Sequence, residues 1–186
     1  MCSVAIQIMQ KLTHKLIQLL TSLSLATGKL ISWMTLLMVA ITFIVVVLRY
    51  GFDLGWIWMQ ESIVYLHAWV FMLGAAYTLQ VDGHVRVDVL YRNMTPRNQA
   101  WVNLLGSLLL LMPMSIFIAW ISWEYVDSAW QVKEASPEAG GLPFVYILKT
   151  TLVVMPALII LQGLAQALSS LLTLKSTART ATGGNP

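Results

Sequence analysis

The chain has 186 residues, of which 58% are hydrophobic and 10% are charged, and its formal net charge at pH 7 is +3. A soluble domain of ordinary composition has about 25% charged residues, so the composition excludes that class and indicates an integral membrane protein. The small positive charge requires no nucleic-acid partner, because the loops expected on the inner side of the membrane account for it. The single cysteine, Cys2, can form no disulfide within the chain.

Residues 1–29 carry apolar side chains at close to helical spacing, with Lys11, His14 and Lys15 between them. This pattern predicts an amphipathic helix that lies in the membrane interface. A secretory signal peptide is the competing interpretation, because the segment is basic before it becomes apolar. Polar residues interrupt the apolar part, and no convincing small-residue cleavage site follows. We therefore expect the segment to be retained.

Four apolar runs follow, and each is long enough to cross a membrane once. A helix needs about 20 apolar residues to cross a hydrocarbon core of roughly 30 Å. We therefore predict an all-α integral membrane protein with four transmembrane helices, at residues 30–48, 62–80, 100–123 and 144–172. The last run is longer than one span requires, so we expect it to tilt or to project from the bilayer. The polar residues 173–186 are predicted to form a disordered tail.

The distribution of Lys and Arg predicts the orientation, since these residues stay on the cytoplasmic side in short loops. Two of them, Arg49 and Lys133, fall in the loops after the first and third spans. Eight fall in the N-terminal segment, the loop after the second span and the tail: Lys11, Lys15, Lys29, Arg86, Arg92, Arg97, Lys175 and Arg179. Both termini are therefore expected in the cytoplasm. Tryptophans near the predicted outer ends agree with this arrangement: Trp56, Trp58, Trp120, Trp123 and Trp130.

Few ionisable side chains fall within or beside the predicted spans. His67 is the best candidate for a functional group, because an ionisable residue inside a membrane is costly. The interpretation that we favour for it is a neutral imidazole that is hydrogen-bonded to a neighbouring helix. Glu61 begins the second helix, where a carboxylate complements the helix dipole. A pair between Glu61 and either Arg49 or Lys149 would also suit an outer interface, and Lys149 can otherwise extend to the headgroups.

Small residues and prolines predict how the helices pack. Pro113 and Pro156 lie inside the third and fourth runs, and each is expected to bend its helix because it removes a backbone donor. Small side chains permit close approach of helices, and they occur in the second and third runs: Gly74, Ala75, Ala76, Gly106 and Ser107.

No motif of an enzyme is present: the sequence has no GxSxG, Walker A, HExxH or CxxC pattern. A haem subunit would need facing axial ligands in the bilayer, and His67 is the one histidine within a predicted span. No Asp or Glu lies deep in a span. We therefore expect no catalytic activity, no metal and no cofactor, and we interpret the chain as a subunit of a larger assembly.

The stretch GHVRVDVLYR, residues 83–92, interrupts the apolar pattern. As a helix it would place charges of opposite or potentially opposite sign four residues apart: Asp82 with Arg86, His84 with Asp88, and Asp88 with Arg92. This favours a helical interpretation, in which the second helix continues or turns into the inner interface. A solvated helix end and a docking surface for another membrane protein remain alternatives.

The region from about Arg49 to Leu172 resembles the DctQ family, the small membrane subunit of tripartite ATP-independent periplasmic (TRAP) transporters. The resemblance is carried by the motifs "RYGF" at 49–52, "LGAAYTLQVDGHVRVDVLYR" at 73–92 and "GLP" at 141–143, and by Glu61, Lys149 and Pro156. It implies a small permease subunit in a bacterial inner membrane, within a sodium-driven importer of organic acids.

The same resemblance implies partners. A large TRAP membrane subunit would carry the sodium and substrate sites, and a periplasmic substrate-binding protein would deliver the solute. The small subunit would brace the large one and help to receive the binding protein. We expect contacts with these partners or with phospholipids at seven residues: Arg49, Glu61, His84, Arg86, Asp88, Arg92 and Lys149. A helical scaffold or anchor subunit of an unrelated membrane complex, such as a respiratory one, is the alternative.

Overall fold

The computed structural model describes residues 2–83 and 91–182, with side chains described for residues 11–83 and 91–176. All regular structure in these ranges is helical. The chain forms α1 (Cys2–Phe52), α2 (Ile57–Gln80), α3 (Pro96–Leu105), α4 (Met112–Gln131) and α5 (Val145–Thr182), and a π-helical segment (Gly106–Leu111) joins α3 to α4.

Four helical stretches are long and apolar enough to cross a membrane: Lys11–Phe52, Ile57–Gln80, Pro96–Gln131 and Val145–Ser176. The third consists of α3, the π-helical segment and α4 in one continuous path. This confirms the predicted all-α fold with four spans. Each helix is longer than the apolar run that predicted it, because a helix can extend with polar side chains past the hydrocarbon core.

The first helix differs from its predicted boundaries. The sequence predicts an interfacial helix over residues 1–29 and a separate span from residue 30, whereas α1 is one helix of 51 residues. It contains no proline, and Leu20 and Ser24 are buried in the bundle. Part of the amphipathic pattern therefore reflects packing within the chain. An interfacial position for the residues before Leu20 stays a prediction.

The last helix also runs further than expected. The tail is predicted to be disordered from residue 173, but α5 continues to Thr182. Residues 173–182 contain neither glycine nor proline, and Gly183 is the first such residue after them. Polar composition alone therefore does not end this helix, because its residues retain ordinary helix propensity.

Two helices end in the same hydrogen-bonded cap. At the end of α2 the Gly83 N–H donates to the Thr78 carbonyl at 2.8 Å, and at the end of α4 the Glu134 N–H donates to the Ala129 carbonyl at 3.0 Å. This six-to-one bond is typical of a Schellman motif, which needs a left-handed residue at the turn. Asp82 (φ 57°) and Lys133 (φ 48°) occupy that position. The second helix therefore turns at residues 81–83 instead of continuing, and residues 84–90 lie outside the described residues.

The π-helical segment immediately precedes Pro113, where the sequence predicts a bend. Pro113 has no N–H to donate to the carbonyl one turn earlier. The Met112 N–H bonds the Ser107 carbonyl, five residues earlier, so the backbone widens before the proline. Pro156 lies inside α5 and is fully buried.

The last helix is the centre of the bundle, since α5 contacts α1, α2, α3 and α4. Most of the buried core side chains are small, so the helices approach closely. Ala76, on the predicted small face of α2, is 1% exposed. The contact between α1 and α2 depends on Gly28, because a Cβ there would lie 2.6 Å from Cε2 of the Tyr77 ring.

Candidate functional site

Glu61 holds the loop that joins α4 to α5. This segment, residues 132–144, is called the distal loop here, since it lies at the end of the bundle opposite the chain termini. The Ser136 hydroxyl donates to Glu61 Oε1, and the Leu142 N–H donates to Glu61 Oε2 at 2.6 Å. The Ser136 N–H donates to the Leu142 carbonyl at 3.1 Å and closes the loop on itself. Glu61 and the "GLP" motif, two separate signals in the sequence, are thus parts of one structure.

Glycine is required at one position of this arrangement. A Cβ at Gly141 would lie 2.6 Å from Ser136 Cβ and 2.8 Å from Glu61 Oε1. Real Cβ atoms do not approach that closely, so the carboxylate reaches the loop because residue 141 has no side chain. The sequence singles out "GLP" but gives no reason for its glycine.

Lys149 tethers the distal loop from α5. Its Nζ lies 2.5 Å from Glu134 Oε2 and 3.9 Å from the centroid of the Tyr125 ring. The Lys149 side chain is 15% exposed, so solvent screens the pair less than an exposed one. The pairs that the sequence suggests, Glu61 with Lys149 or with Arg49, do not form. Lys149 pairs with Glu134 instead. The helix α4 ends at Gln131, and the chain then turns so that Glu134 lies near α5.

An aromatic pair fixes the start of the loop. Lys133 Nζ lies 4.3 Å from the Trp130 ring centroid and 4.9 Å from that of Tyr146. The Trp130 indole N–H donates to Thr150 Oγ1 at 2.8 Å. Sequence reasoning treated Trp130 as an interface residue and missed this role, although the spacing of Trp130 and Lys133 fits one helical turn.

The tip of the distal loop faces outwards. Pro137, Glu138 and Ala139 are exposed, while both sides of the loop are held by Glu61 and Lys149. A loop that is fixed at its base and open at its tip can present a defined surface to another protein without ordering itself first.

Of the other five predicted contact residues, the structure describes two. Arg49 and Arg92 are exposed, and neither forms an ion pair with the residues whose side chains the structure describes. His84, Arg86 and Asp88 lie outside the described residues, so their predicted contacts stay predictions.

One outward-facing stripe on α2 contains an ionisable residue. The exposed residues Gln60, Val64, His67 and Phe71 follow helical spacing, and they are called the α2 stripe here. His67 lies near the middle of the 24-residue helix. Its nearest ring is Phe71, with centroids 6.5 Å apart and planes at 20°.

The structure corrects the favoured interpretation of His67. The imidazole makes no hydrogen bond to a neighbouring helix within the described side chains, because it lies on the outer face of α2. The buried face of α2 carries Tyr65, Leu66 and Ala76 instead. Hydropathy places His67 in a span but does not say which way it points.

A polar network joins three helices near the end of the bundle that carries the termini. Ser24 Oγ donates to Gln162 Oε1 at 2.7 Å, and Gln162 Nε2 donates to Gln80 Oε1. Gln162 is 4% exposed. The sequence analysis weighed ionisable residues and missed this network, although two glutamines within apolar runs were the available signal.

Four helices that are long and apolar enough to cross a membrane, with a fixed loop at one end, define a class of protein: an all-helical, multi-pass membrane protein. Residues 38–173 match the family described as Tripartite ATP-independent periplasmic transporters, DctQ component. The chain belongs to the DctQ family. It is a membrane component of a transporter, not an enzyme.

Curated relatives agree with this assignment. The chain is 29% identical over 112 residues to "C4-dicarboxylate TRAP transporter small permease protein DctQ" of Vibrio cholerae serotype O1, a match over 58% of this chain and 48% of the relative. It is 33% identical over 90 residues to "Putative TRAP transporter small permease protein" of Haemophilus influenzae, a match over 47% of this chain and 56% of the relative. The chain thus spans about half the length of the curated relatives it matches. No solved structure matches the chain.

Proposed function

We propose that the chain is the small permease subunit of a TRAP transporter and that the α2 stripe seats against the large membrane subunit. The observation that carries this proposal is the position of His67. An ionisable side chain near the middle of a span is costly when it faces lipid. A partner that covers the stripe and offers the imidazole a hydrogen bond removes that cost.

The neighbours of His67 suit a helix–helix contact. Val64 is 59% exposed and Phe71 is 71% exposed, so the imidazole lies between two apolar side chains on one face. Interhelical hydrogen bonds within bilayers contribute about 0.6–2 kcal/mol. The apolar neighbours would supply close packing, and the histidine would fix the register of the partner helix.

The distal loop is the proposed receiving surface for the periplasmic binding protein. The eight-to-two distribution of Lys and Arg favours cytoplasmic termini, which would put the distal loop in the periplasm of a cell with an inner membrane. Its exposed tip carries Glu138, and its base is fixed by Glu61 and Lys149. The charged residues Arg86 and Asp88 are proposed to contact the large subunit, and Arg92 is exposed at the end of the bundle opposite the distal loop. Arg49 is proposed to contact a partner or lipid at the distal end.

The proposed cargo is an organic acid, imported with sodium. The name of the Vibrio cholerae relative contains a C4-dicarboxylate, which supports a carboxylate as the substrate class. The ion and substrate sites of transporters are usually built at broken helices near the midplane. The four spans described in this chain are continuous helical stretches, so these sites are assigned to the large subunit.

Cross-linking tests the α2 stripe as the contact surface. The chain is co-expressed with its large subunit in a Cys2→Ser background, in which His67→Cys introduces the only thiol of this chain. A bifunctional reagent is attached to the thiol at residue 67 through its maleimide, and its photoreactive group is expected to join the two subunits on illumination. The control is Leu110→Cys, an exposed position on the π-helical segment, which α5 separates from α2. Cross-linking from residue 110 but not from residue 67 would reject the stripe.

Measurements of uptake test whether the chain transports substrate only together with its partners. Vesicles with both membrane subunits, the binding protein and a sodium gradient are expected to accumulate the carboxylate that the binding protein carries. Vesicles with this chain alone are expected to accumulate none. Robust uptake by the chain alone would contradict its role as a supporting subunit.

A further inference from the structure

A row of exposed leucines runs along the N-terminal half of α1. They follow one another at alternating intervals of four and three residues, and they are called the leucine stripe here: Leu12, Leu16, Leu19 and Leu23. These intervals are those of a heptad repeat, which places the four side chains along one side of the helix. In the same region α1 buries Leu20 and Ser24 in the bundle, so the leucine stripe lies on a different side from the packed one.

Most of the leucine stripe lies beyond the end of α2. Ser24 and Gln80, the last residue of α2, both hydrogen-bond the Gln162 side chain, so Ser24 is level with the end of that helix. The 24 residues of α2 rise by roughly 36 Å, enough to cross a hydrocarbon core of about 30 Å. From Ser24 back to Leu12 the helix rises by roughly 18 Å, whereas a headgroup layer is about 5–8 Å thick. Leu12 and Leu16 therefore lie outside the bilayer.

A membrane surface is for this reason a poor cover for the leucine stripe. α1 is one continuous helix from Cys2 to Phe52, and Leu20 and Ser24 fix it in the bundle. Its first half therefore continues along the axis of the span instead of lying along the bilayer. Lipid covers exposed leucines within the hydrocarbon core, but it does not reach Leu12 and Leu16. Apolar side chains at heptad spacing in such a place are typical of a helix that packs against another helix.

Cations line one edge of the leucine stripe. Lys15 and Lys29 are exposed and stand directly before Leu16 and Leu30, two heptads apart, so they occupy the same position of the repeat. Charges at the edge of such a seam select the partner helix. Residues 1–52 contain no Asp or Glu, so a second copy of α1 would bring further cations and no carboxylate. The charge of this edge therefore favours a different chain, with Asp or Glu beside its own apolar side chains.

We propose that the leucine stripe docks a helix of the large membrane subunit, and that this helix has an apolar stripe with Asp or Glu along its edge. That the large subunit carries the helix rests on the proposed function, whereas the chemistry of the helix follows from the leucines and lysines of α1. Its apolar side chains pack between the leucines, and its carboxylates face Lys15 and Lys29. The contact lies at the end of the bundle that carries the termini, away from His67 near mid-span.

Cross-linking from the leucine stripe tests this contact. The chain is co-expressed with its large subunit in the Cys2→Ser background, and the same bifunctional reagent is attached to Leu16→Cys. The control is Leu25→Cys, because Leu16 and Leu25 are both 48% exposed and lie on opposite sides of α1, nine residues apart. Illumination is expected to join residue 16, but not residue 25, to the large subunit. Mass spectrometry of the product is expected to find an apolar helix with Asp or Glu at the joined segment.

Substitutions test the leucines and the lysines separately. Leu16→Gln is expected to lower recovery of the two-subunit complex about tenfold, since the burial of one leucine is lost. Lys15→Glu is expected to lower it about fivefold at low salt and less at high salt, because salt screens an exposed ion pair. Leu25→Gln and Lys11→Glu make the same changes on the polar side of α1 and are expected to leave recovery unchanged. Circular dichroism shows whether each variant folds.

The cross-link from residue 67 separates this inference from the proposed function. A product from residue 67 but none from residue 16 would overturn the docking of the leucine stripe and leave the proposed function standing. A product from residue 16 alone would support the docking and reject the α2 stripe. The docking is also overturned if residue 16 joins a second copy of this chain or a phospholipid, or if residues 16 and 25 give equal yields.

Discussion

At the scale of single residues, Glu61 connects two parts of the chain that are far apart in sequence. Its two oxygens accept hydrogen bonds from residues 75 and 81 positions later. Hydrogen bonds to a charged group contribute about 1.5–3 kcal/mol to stability, more than an exposed ion pair of up to about 1 kcal/mol. Glu61 should therefore determine how ordered the distal loop is.

Substitution of Glu61 is expected to loosen the distal loop. In Glu61→Ala the Leu142 N–H loses its acceptor, so its amide should exchange with solvent roughly tenfold to hundredfold faster. Hydrogen–deuterium exchange measures this directly. Glu138→Ala removes an exposed carboxylate from the same loop and should leave the exchange at Leu142 unchanged. Equal exchange in both variants would mean that Glu61 does not hold the loop.

The sequence predicted some of these residues but not their partners. Glu61, Lys149 and "GLP" were identified as signals, and the structure brings Glu61 to the loop that contains "GLP". The pairing of Lys149 with Glu134 was not predicted, because a loop of irregular conformation has no periodicity from which a contact can be inferred. The outward direction of His67 was missed for a related reason. The apolar runs in this chain are apolar on all sides, so they do not distinguish the lipid face from the packed face.

At the scale of elements, α1 and α2 pack closely at Gly28, where there is no room for a side chain, and less closely at Gly74. Gly28 on α1 lies against the Tyr77 ring, whereas a Cβ at Gly74 on α2 would lie 3.8 Å from Ile31 Cδ1, an ordinary contact. The sequence singled out Gly74 because it is part of a run of small residues. Gly28 stands alone between Thr27 and Lys29 and was not singled out.

The two glycines should respond differently to alanine. Gly28→Ala forces the Tyr77 ring to move, and overpacking of this kind costs about 1–3 kcal/mol. Gly74→Ala is expected to be neutral or slightly stabilising, because alanine favours a helix by up to about 1 kcal/mol over glycine. Thermal denaturation in detergent, followed by circular dichroism, measures both. A larger loss for Gly74→Ala would contradict the packing of α1 on α2.

Element boundaries were less predictable than the existence of the elements. Hydropathy located all four spans, since about 20 apolar residues are a strong signal. It could not locate the π-helical segment, which arises from the missing N–H of Pro113 and not from any apolar pattern. Nor could it show that α1 runs without a break through residue 29, because the same spacing suits a helix on the membrane surface and a helix in a bundle.

At the scale of the whole molecule, the two ends of the bundle differ in character. The distal end has a fixed loop with an exposed tip, and the other end has a glutamine network. If the proposed orientation is correct, these ends face the periplasm and the cytoplasm respectively.

Cysteine labelling tests that orientation. In a Cys2→Ser background, Pro137→Cys places a thiol at the exposed tip of the distal loop, and Arg92→Cys places one at an exposed position of the other end. A maleimide that does not cross membranes should label residue 137 in intact spheroplasts and residue 92 only after lysis. The reverse pattern would invert the topology and the surfaces assigned to each partner.

The central position of α5 has a consequence for the biosynthesis of the protein. Ser24 donates to Gln162, which lies 138 residues later in the chain. Gln80 accepts from the same side chain, which lies 82 residues after it. At a synthesis rate of about 5–20 residues per second, the interval between Ser24 and Gln162 is on the order of ten seconds. During that time the first three spans are in the membrane without the helix that all of them contact. The bundle therefore closes only as α5 arrives, and until then Ser24 and Gln80 lack the Gln162 side chain that joins them.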